Sequence, residues 1–198
     1  MTGQTCALPI CFIESLGAQA RGDGIKAANV ASVTIVQTVV TGALKNSVSL
    51  VQVGDAQLDA DSLLGGAAPL SLNSVGICAR DVVYSGLSVA GTNTLVACAG
   101  GSRKNANLGS CAPAASVTCS THCNAGDRAL CDTIATPSFE ADGTCPLATS
   151  VLVDAGADLG LDLVDNDPAA FFLGAAPDLG GRERGSSRVY GGTSYSCP

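Results

Sequence analysis

A degenerate repeat of 22 to 25 residues in the first half of the chain constrains the fold more than any other feature. When residues 24–101 are written in rows that begin at positions 24, 46, 68 and 92, apolar residues align in two alternate columns. The first column holds Ile25, Val48, Leu70 and Thr94, and the second holds Ala27, Leu50, Leu72 and Val96. A period in the low twenties predicts a solenoid whose rows stack in register.

Glycines recur with a similar period. Gly54, Gly76 and Gly100 lie 22 and 24 residues apart, and Gly42, Gly66 and Gly91 lie 24 and 25 residues apart. Between them the chain is rich in Val, Thr, Ser and Leu in short apolar alternations, which are typical of strands. In a stacked solenoid the inward side chains pack on their equivalents about 4.8 Å above and below. We therefore predict parallel β-helix coils over residues 22–101.

A β-sandwich is the alternative fold, because it also contains short strands at regular spacing. The repeat region lacks a hairpin signal such as Asn-Gly, which favours the parallel coil over the sandwich. Leucine-rich repeats share the period, but their Leu-x-x-Leu-x-Leu frame is missing.

Composition limits the compartment and the partners. Hydrophobic residues make up 46% of the chain and aromatic residues only 4%, so the core is expected to be aliphatic. The net charge of −7 disfavours a nucleic-acid partner. No apolar run is long enough to span a bilayer. Ten cysteines with a single histidine indicate an oxidising, extracellular or cell-surface location.

Half of the cysteines fall in a polar segment, residues 102–145, that we interpret as a Cys-rich loop insertion. The disulfide candidates are Cys111, Cys119, Cys123, Cys131 and Cys145. A long loop gains about 2–4 kcal/mol from each disulfide. A zinc site formed by Cys119, His122, Cys123 and Cys131 is the weaker alternative, because the spacing matches no paired zinc knuckle. Cys78 and Cys98 are out of register in adjacent rows, so we do not pair them.

The C-terminal third carries a family resemblance. Residues 137–143 (PSFEADG), 145–147 (CPL), 150–156 (SVLVDAG), 165–168 (DNDP) and 174–183 (GAAPDLGGRE) provide the motifs. Together they resemble the closing sequence of right-handed parallel β-helix proteins of the pectate-lyase-like superfamily, of the choice-of-anchor type. The chain departs from that pattern where Arg182 replaces the usual Tyr, Gly181 replaces an Ala, and Phe171-Phe172 stands where a basic residue is common.

The resemblance implies an all-β fold, a right-handed, single-stranded parallel β-helix with a Cys-rich loop and a C-terminal cap. A terminal coil and the cap are expected over residues 146–185, followed by a flexible tail over residues 186–198. In the cap, the Asp154 carboxylate is expected to accept nearby backbone N–H groups in a tight turn, with Gly156 at positive φ. Phe171 and Phe172 are expected to plug the final coil, and a sugar-stacking platform is the alternative role.

Residues 1–21 are predicted to be disordered or artefactual, because residues 2–10 resemble a translated sequencing adapter. A natural N-terminal segment is an equal alternative. Since a disulfide-type chain without a recognisable signal peptide is unusual, we expect the chain to be an N-terminally truncated fragment.

No catalytic constellation is evident in the sequence. Asp59 and Asp61 alternate with apolar residues and are expected to face outward, as a solvated polar face rather than a glycosidase carboxylate pair. Arg80 with Asp55, Asp81 or Asp61 is the candidate group for lyase chemistry, although no motif supports it.

Besides the zinc alternative, the sequence suggests a calcium site. Asp162, Asp165 and Asp167 are closely spaced carboxylates that are able to bind the ion. We favour the alternative interpretation, in which the same residues are turn and capping aspartates. No other cofactor is predicted.

The expected function is that of a secreted or cell-surface structural scaffold, or a polysaccharide-binding or adhesive surface, in a monomeric protein. The alternative is a fragment of a polysaccharide lyase or glycoside hydrolase whose catalytic coils lie upstream. Because the same fold carries several functions, the resemblance does not decide between them.

Overall fold

The computed structural model describes residues 11–13, 22–95, 105–107, 111–112, 117–119, 137–164, 171–190 and 193–198. These residues form an all-β structure without a helix, built around a parallel β-solenoid of about three turns. Within these ranges, no helical segment has the length and apolarity needed to cross a bilayer. The predicted fold class is therefore confirmed.

Thirteen strands of the described residues build the solenoid. They are β1 (Cys11–Ile13), β2 (Ile25–Val36), β3 (Thr38–Val40), β4 (Val48–Asp59), β5 (Ser62–Leu63), β6 (Leu70–Asn73), β7 (Gly76–Arg80), β8 (Val83–Tyr84), β9 (Leu87–Ala90), β10 (Asn93–Leu95), β11 (Ala106–Asn107), β12 (Cys111–Ala112) and β13 (Val117–Cys119). A hairpin of β14 (Ser187–Tyr190) and β15 (Thr193–Ser196) follows near the end of the chain.

Each turn passes through three faces. The first face contains the N-terminal halves of β2 and β4 with β6, β9 and β12, and the second contains their C-terminal halves with β7, β10 and β13. The third face is a five-stranded sheet in the order β1-β3-β5-β8-β11. Neighbouring strands on all three faces pair in parallel.

The predicted register is confirmed for the first three rows. Leu50 pairs with Ala27 on one side and with Leu72 on the other, and Val48 pairs with Ile25 and Leu70 in the same way. The inward side chains of these columns are fully buried from the second row on. Each buried leucine contributes about 1.5–3 kcal/mol relative to an exposed one, so the columns form the main source of stability.

The predicted fourth row is wrong. It begins at Leu87, which pairs with Leu70, whereas Thr94 pairs with Gly76 on the second face. The shift has a local cause, because only residues 85–86 separate β8 from β9 while residues 41–47 and 64–69 fill the same corner in earlier turns. Strand pairing fixes the stack, but the length of a corner is free to vary.

Two of the corners are single residues in the left-handed region. At the first corner Asn29, Gln52, Ser74 and Gly91 follow paired residues in successive turns, with φ of 54°, 51°, 57° and 62°. At the second corner Gln37, Ala60 and Asp81 do the same, with φ of 50°, 51° and 56°. A non-glycine residue in this region costs about 1–2 kcal/mol, which the strand pairing on both sides must offset.

The predicted glycine columns are therefore only partly correct. Gly91 belongs to the first corner and does not stack with Gly42 and Gly66. At the third corner Gly42 lies against Gly65 instead, where a Cβ added to Gly65 would be 2.6 Å from the Gly42 nitrogen. Glycine is required there because two backbones approach each other closely.

The C-terminal cap covers the outer side of the third face. Gly181 donates its N–H to Ser62 Oγ (2.9 Å), and Gly180 donates to the carbonyl of Asp81 (3.0 Å). Leu152 and Leu179 pack with Val83 in a small apolar cluster. The cap buries a sheet face that would otherwise be apolar and exposed.

Two expectations for the C-terminal region are wrong. Phe171 is 57% exposed and does not plug the final coil, where the apolar contacts include Leu152 and Leu179, while Phe172 is half-buried. Residues 186–198 are not a flexible tail, since β14 and β15 pair as an antiparallel hairpin and Cys197 is disulfide-bonded to Cys145.

Replacing a left-handed corner residue with glycine should stabilise the solenoid. We expect Gln52→Gly to raise the free energy of unfolding by about 0.5–1 kcal/mol, because glycine removes the steric cost of positive φ at an exposed site. The matched control is Ser32→Gly in β2, where φ is not positive and glycine should cost about 0.5–1 kcal/mol. Chemical denaturation measures both values, and a destabilised Gln52→Gly would contradict the corner assignment.

Candidate functional site

The second corner gathers charged side chains, Asp59, Asp61, Arg80 and Asp81, that we call the corner cluster. Asp59 ends β4 and Arg80 ends β7, and the two residues are register partners on the second face. Arg80 Nε donates to Asp59 Oδ1 (2.7 Å) and Nη2 donates to Oδ2 (2.6 Å). The side chains are only 9% and 3% exposed. This bidentate, buried geometry is the strong form of a charged hydrogen bond, and it raises the pKa of Arg80.

Asp61 is fully buried in the same cluster. Its Oδ1 accepts the N–H of Thr38 from the preceding turn (2.8 Å), whereas Oδ2 has no hydrogen-bond partner among the described residues. Burial therefore raises the pKa of Asp61 well above its ordinary value, and the neighbouring charge of Asp59 adds to the effect.

Asn105 occupies the position equivalent to Asp61 and shows which hydrogen bonds a side chain makes there. Asn105 stands at the same corner two turns later, as the registers of the third face show. Its Oδ1 accepts the N–H of Val82 (3.1 Å) and its Nδ2 donates to the carbonyl of Ala79 (2.9 Å). An amide satisfies both bonds at this corner, but an ionised carboxylate satisfies only one.

Asp81 joins the corner cluster to the cap. Its Oδ2 accepts the N–H of Ala157 (2.6 Å), and its main-chain oxygen accepts the N–H of Gly180. Asp81 itself takes a φ of 56° at the second corner. The position of this carboxylate is therefore fixed by the solenoid, and the cap folds onto it.

The expectation that Asp59 and Asp61 form a solvated outer face is wrong, since they are only 2% and 0% exposed. Alternation places Asp59 on the outer side as predicted, but its ion pair with Arg80 withdraws both groups from water. Asp55, by contrast, is exposed. Because the Arg80 guanidinium is buried against Asp59, it is not placed to remove a proton from a polysaccharide.

A second group of acidic residues, Asp154, Asp178 and Glu183, organises the cap, and we call them the cap carboxylates. Glu183 accepts the N–H groups of Leu173 and Asp178 (both 2.9 Å). Asp178 accepts those of Asp154 and Arg184 (both 2.8 Å). Every one of these bonds comes from the backbone, so the carboxylates replace a regular ladder in a segment without strands.

Asp154 behaves differently from the predicted tight turn. Its Oδ1 accepts the N–H groups of Ala175 (2.7 Å) and Ala176 (3.1 Å), which lie more than 20 residues away in sequence. The positive φ belongs to Asp154 itself, at 53°, and not to Gly156. Gly156 is needed for space, since an added Cβ would lie 2.7 Å from the carbonyl oxygen of Pro177.

Burial and mutual repulsion perturb the cap carboxylates. Glu183 is 1% exposed, and its pKa rises to about 7 because burial penalises the charged form and Asp178 and Asp154 repel it. Burial also raises the pKa of Asp178. The sequence motif singled out Asp154 and Asp178 but gave no sign of how deeply Glu183 is buried.

An open groove lies beside the cap carboxylates. Its lining residues are Val153, Asp154, Leu173, Gly174, Asp178, Arg184 and Gly185. Arg184 Nη1 donates hydrogen bonds to Glu140 Oε1 and to the carbonyl of Pro146 (both 3.1 Å). The described acidic and basic groups around the groove are therefore engaged mainly in holding the cap together.

The calcium prediction stays a prediction. Asp162 Oδ1 accepts the N–H of Val164 (2.9 Å), which is a turn role, while Asp165 and Asp167 lie outside the described residues. Among the side chains that the structure describes, no group of three acidic, histidine or cysteine residues is arranged to hold a metal ion.

The cysteines support a disulfide-bonded protein. Cys145 forms a disulfide bond with Cys197, with 5.5 Å between the Cα atoms. Cys78 is also disulfide-bonded. Cys111 and Cys119 lie in β12 and β13, and Cys123, Cys131 and His122 lie outside the described residues.

Comparison with known proteins leaves the family open, because no family model, curated protein or solved structure matches the chain.

Asp61→Asn should stabilise the protein. By analogy with Asn105, the new Nδ2 would reach the carbonyl of Ile35, so we expect a gain of about 1–3 kcal/mol at pH 7, the usual cost of an unsatisfied buried polar atom. The gain should shrink as the pH falls towards the ordinary aspartate pKa, because protonation of Asp61 removes the buried charge in the wild type. Thermal unfolding at several pH values measures this, and a loss of stability at neutral pH would contradict the role assigned to Asp61.

Breaking the Asp59–Arg80 pair should be costly, but removing both charges should not. We expect Arg80→Met to destabilise the protein by about 3–5 kcal/mol, because it leaves the Asp59 carboxylate buried without its cation. In the double variant with Asp59→Leu the cost should be smaller than in Arg80→Met alone. A double-mutant cycle by chemical denaturation tests this, and additive costs would show that the pair is not coupled.

Proposed function

We propose that this protein is the C-terminal part of a secreted or cell-surface parallel β-helix protein of the pectate-lyase-like type. In this proposal it acts as a rigid scaffold that presents a polar face to polysaccharide. The in-register row of polar side chains on the outer side of the first face is the observation that carries the proposal. Lys26, Ser49, Ser71 and Ser88 are consecutive register partners in that row.

The geometry of the row suits an extended, repetitive ligand. Parallel strands repeat at about 4.8 Å, so Ser71 and Ser88 offer hydroxyl groups at that interval on a rigid sheet, whereas Ser49 in the same row is only 6% exposed. Ser71 and Ser88 are half-buried, which fixes their positions while leaving part of each side chain accessible. A polysaccharide presents hydroxyl groups at regular intervals along its own length, and hydroxyls both donate and accept.

Two other features support the scaffold role and the location. The described corner cluster on the solenoid is used in structural hydrogen bonds, which is typical of a fold that must stay rigid. The Cys145–Cys197 disulfide favours an oxidising compartment. The cap carboxylates Asp154, Asp178 and Glu183 come from the motifs on which the resemblance to the pectate-lyase-like superfamily rests.

A binding assay on immobilised glycans tests the proposal. We expect the protein to be retained on at least one neutral or uronate-containing polysaccharide. Ser71→Glu combined with Ser88→Glu should weaken retention at least about tenfold, because the row loses hydroxyls and gains charge. Ser194→Glu in the hairpin is the matched control, since Ser194 is exposed and remote from the row in sequence, and it should bind as the wild type does.

Each other outcome counts against the proposal. Absence of retention on every glycan would leave a structural protein without this ligand. Equal weakening by the Ser194→Glu control would show that the first face is not the binding surface. Release of shortened or unsaturated sugars during the incubation would favour the alternative, a lyase or glycoside hydrolase.

A further inference from the structure

The cap is held together by carboxylates whose described partners are backbone N–H groups. Glu183 joins Leu173 to Asp178, and Asp178 in turn joins Asp154 to Arg184. The cap meets the solenoid through the Asp81 carboxylate and through Leu152 and Leu179 on the third face. The seating of the cap therefore depends on the charge state of a few buried acids.

The charges that face Glu183 do not balance it. Asp154 and Asp178 lie close enough to repel it, and Arg184 is turned towards Glu140 and Pro146. Arg182 faces Asp142, with 3.7 Å between Nη2 and Oδ2, and lies over the ring of Tyr195. Among the described residues, no cation lies within ion-pair distance of the Glu183 carboxylate.

We propose that the cap is a pH-responsive element, which is held closed on the third face under mildly acidic conditions and loosens as the pH rises towards neutral. The buried, uncompensated position of Glu183 is the geometric reason. Protonation of Glu183 removes the charge that Asp154 and Asp178 repel, whereas ionisation restores it inside the cap.

The direction follows from the pKa of Glu183, which is about 7 in the folded protein against an ordinary value of 4.5. A raised acid pKa means that the folded state binds the proton more tightly than the unfolded state. The contribution of Glu183 to the stability of the cap is then greatest below the ordinary pKa of a glutamate. It falls as the pH rises to about 7, and it is level above that pH. The raised pKa of Asp178 acts in the same direction.

Asp142 sets the acidic limit of this response. Hydrogen bonds from the N–H groups of Thr144 and Cys145, and the charge of Arg182, lower the pKa of Asp142. The stability that Asp142 contributes is present above its ordinary pKa and is lost as the pH falls below it. The cap should therefore be most stable between the ordinary aspartate pKa and neutral pH, towards the acidic side.

Hydrogen exchange on the full chain tests the proposal residue by residue. The amides of Leu173, Asp178 and Arg184 donate to the cap carboxylates and report on the cap, while those of Leu50 and Leu72 report on the solenoid. After correction for intrinsic rates, the protection of the cap amides should be lower at pH 8 than at pH 5 by on the order of 100-fold. The proposal is overturned if their protection is constant or increases over that range.

Paired variants separate Glu183 from the other acids. Glu183→Gln should greatly reduce the pH dependence of cap protection between pH 5 and pH 8, leaving only the contribution of Asp178. Glu140→Gln, which removes the same charge from the half-buried partner of Arg184, should retain the pH dependence. The reverse pattern would contradict the proposal.

A carbon-detected NMR titration of the Glu183 carboxyl in the wild-type protein tests the proposal even if Glu183→Gln fails to fold. A midpoint near 7 is expected, and a midpoint near 4.5 would overturn the proposal. None of these readouts involves glycan binding, so the scaffold proposal stands or falls separately.

Discussion

In-register stacking of aliphatic side chains between parallel turns is the interaction on which the rest of the structure depends. Ala27, Leu50, Leu72 and Val89 form one continuous column across four rows. The columns hold only when successive turns keep the same phase, so the corners must return the chain to the same place each time. Single left-handed residues accomplish this at two corners, because one residue at positive φ redirects the chain between faces without adding length.

The sequence predicted the stack but not all of its corners. Apolar alternation identified the columns through Leu50 and Leu72, because inward positions must be apolar wherever a strand is enclosed. The fourth row was missed because only two residues separate β8 from Leu87, the first residue of β9. A comparison at a fixed period cannot detect a corner that is shortened in this way. The corner columns were also missed, since Gln52, Ala60 and Ser74 are not residues that usually mark positive φ.

The burial of the charged residues could not be predicted from the sequence. Alternation placed Asp59 correctly on the outer side of the second face, yet it is buried by Arg80 from the next turn. That pairing depends on a separation of 21 residues, which the strand register sets and local sequence does not. Glu183 was likewise recognised as part of a motif, but its burial follows from the way the cap folds over the third face, which only the three-dimensional structure shows.

The solenoid and the cap are thus stabilised by different interactions. The solenoid is stabilised by apolar columns whose energy does not depend on pH, while the cap is stabilised by buried acids, one disulfide and a small apolar contact. This division explains how one chain combines a rigid sheet with a segment that responds to its surroundings. The row of serines on the first face lies on the rigid part.

Methyl and amide nuclear Overhauser effects in isotopically labelled protein test the stacking most directly. In-register stacking predicts cross-peaks that link Leu50 to Leu72 and Leu72 to Val89, together with Ala56 to Ile77, in the pattern of parallel strands. Cross-peaks that pair these segments in antiparallel order, or the absence of contacts between Leu50 and Leu72 in a folded sample, would contradict it.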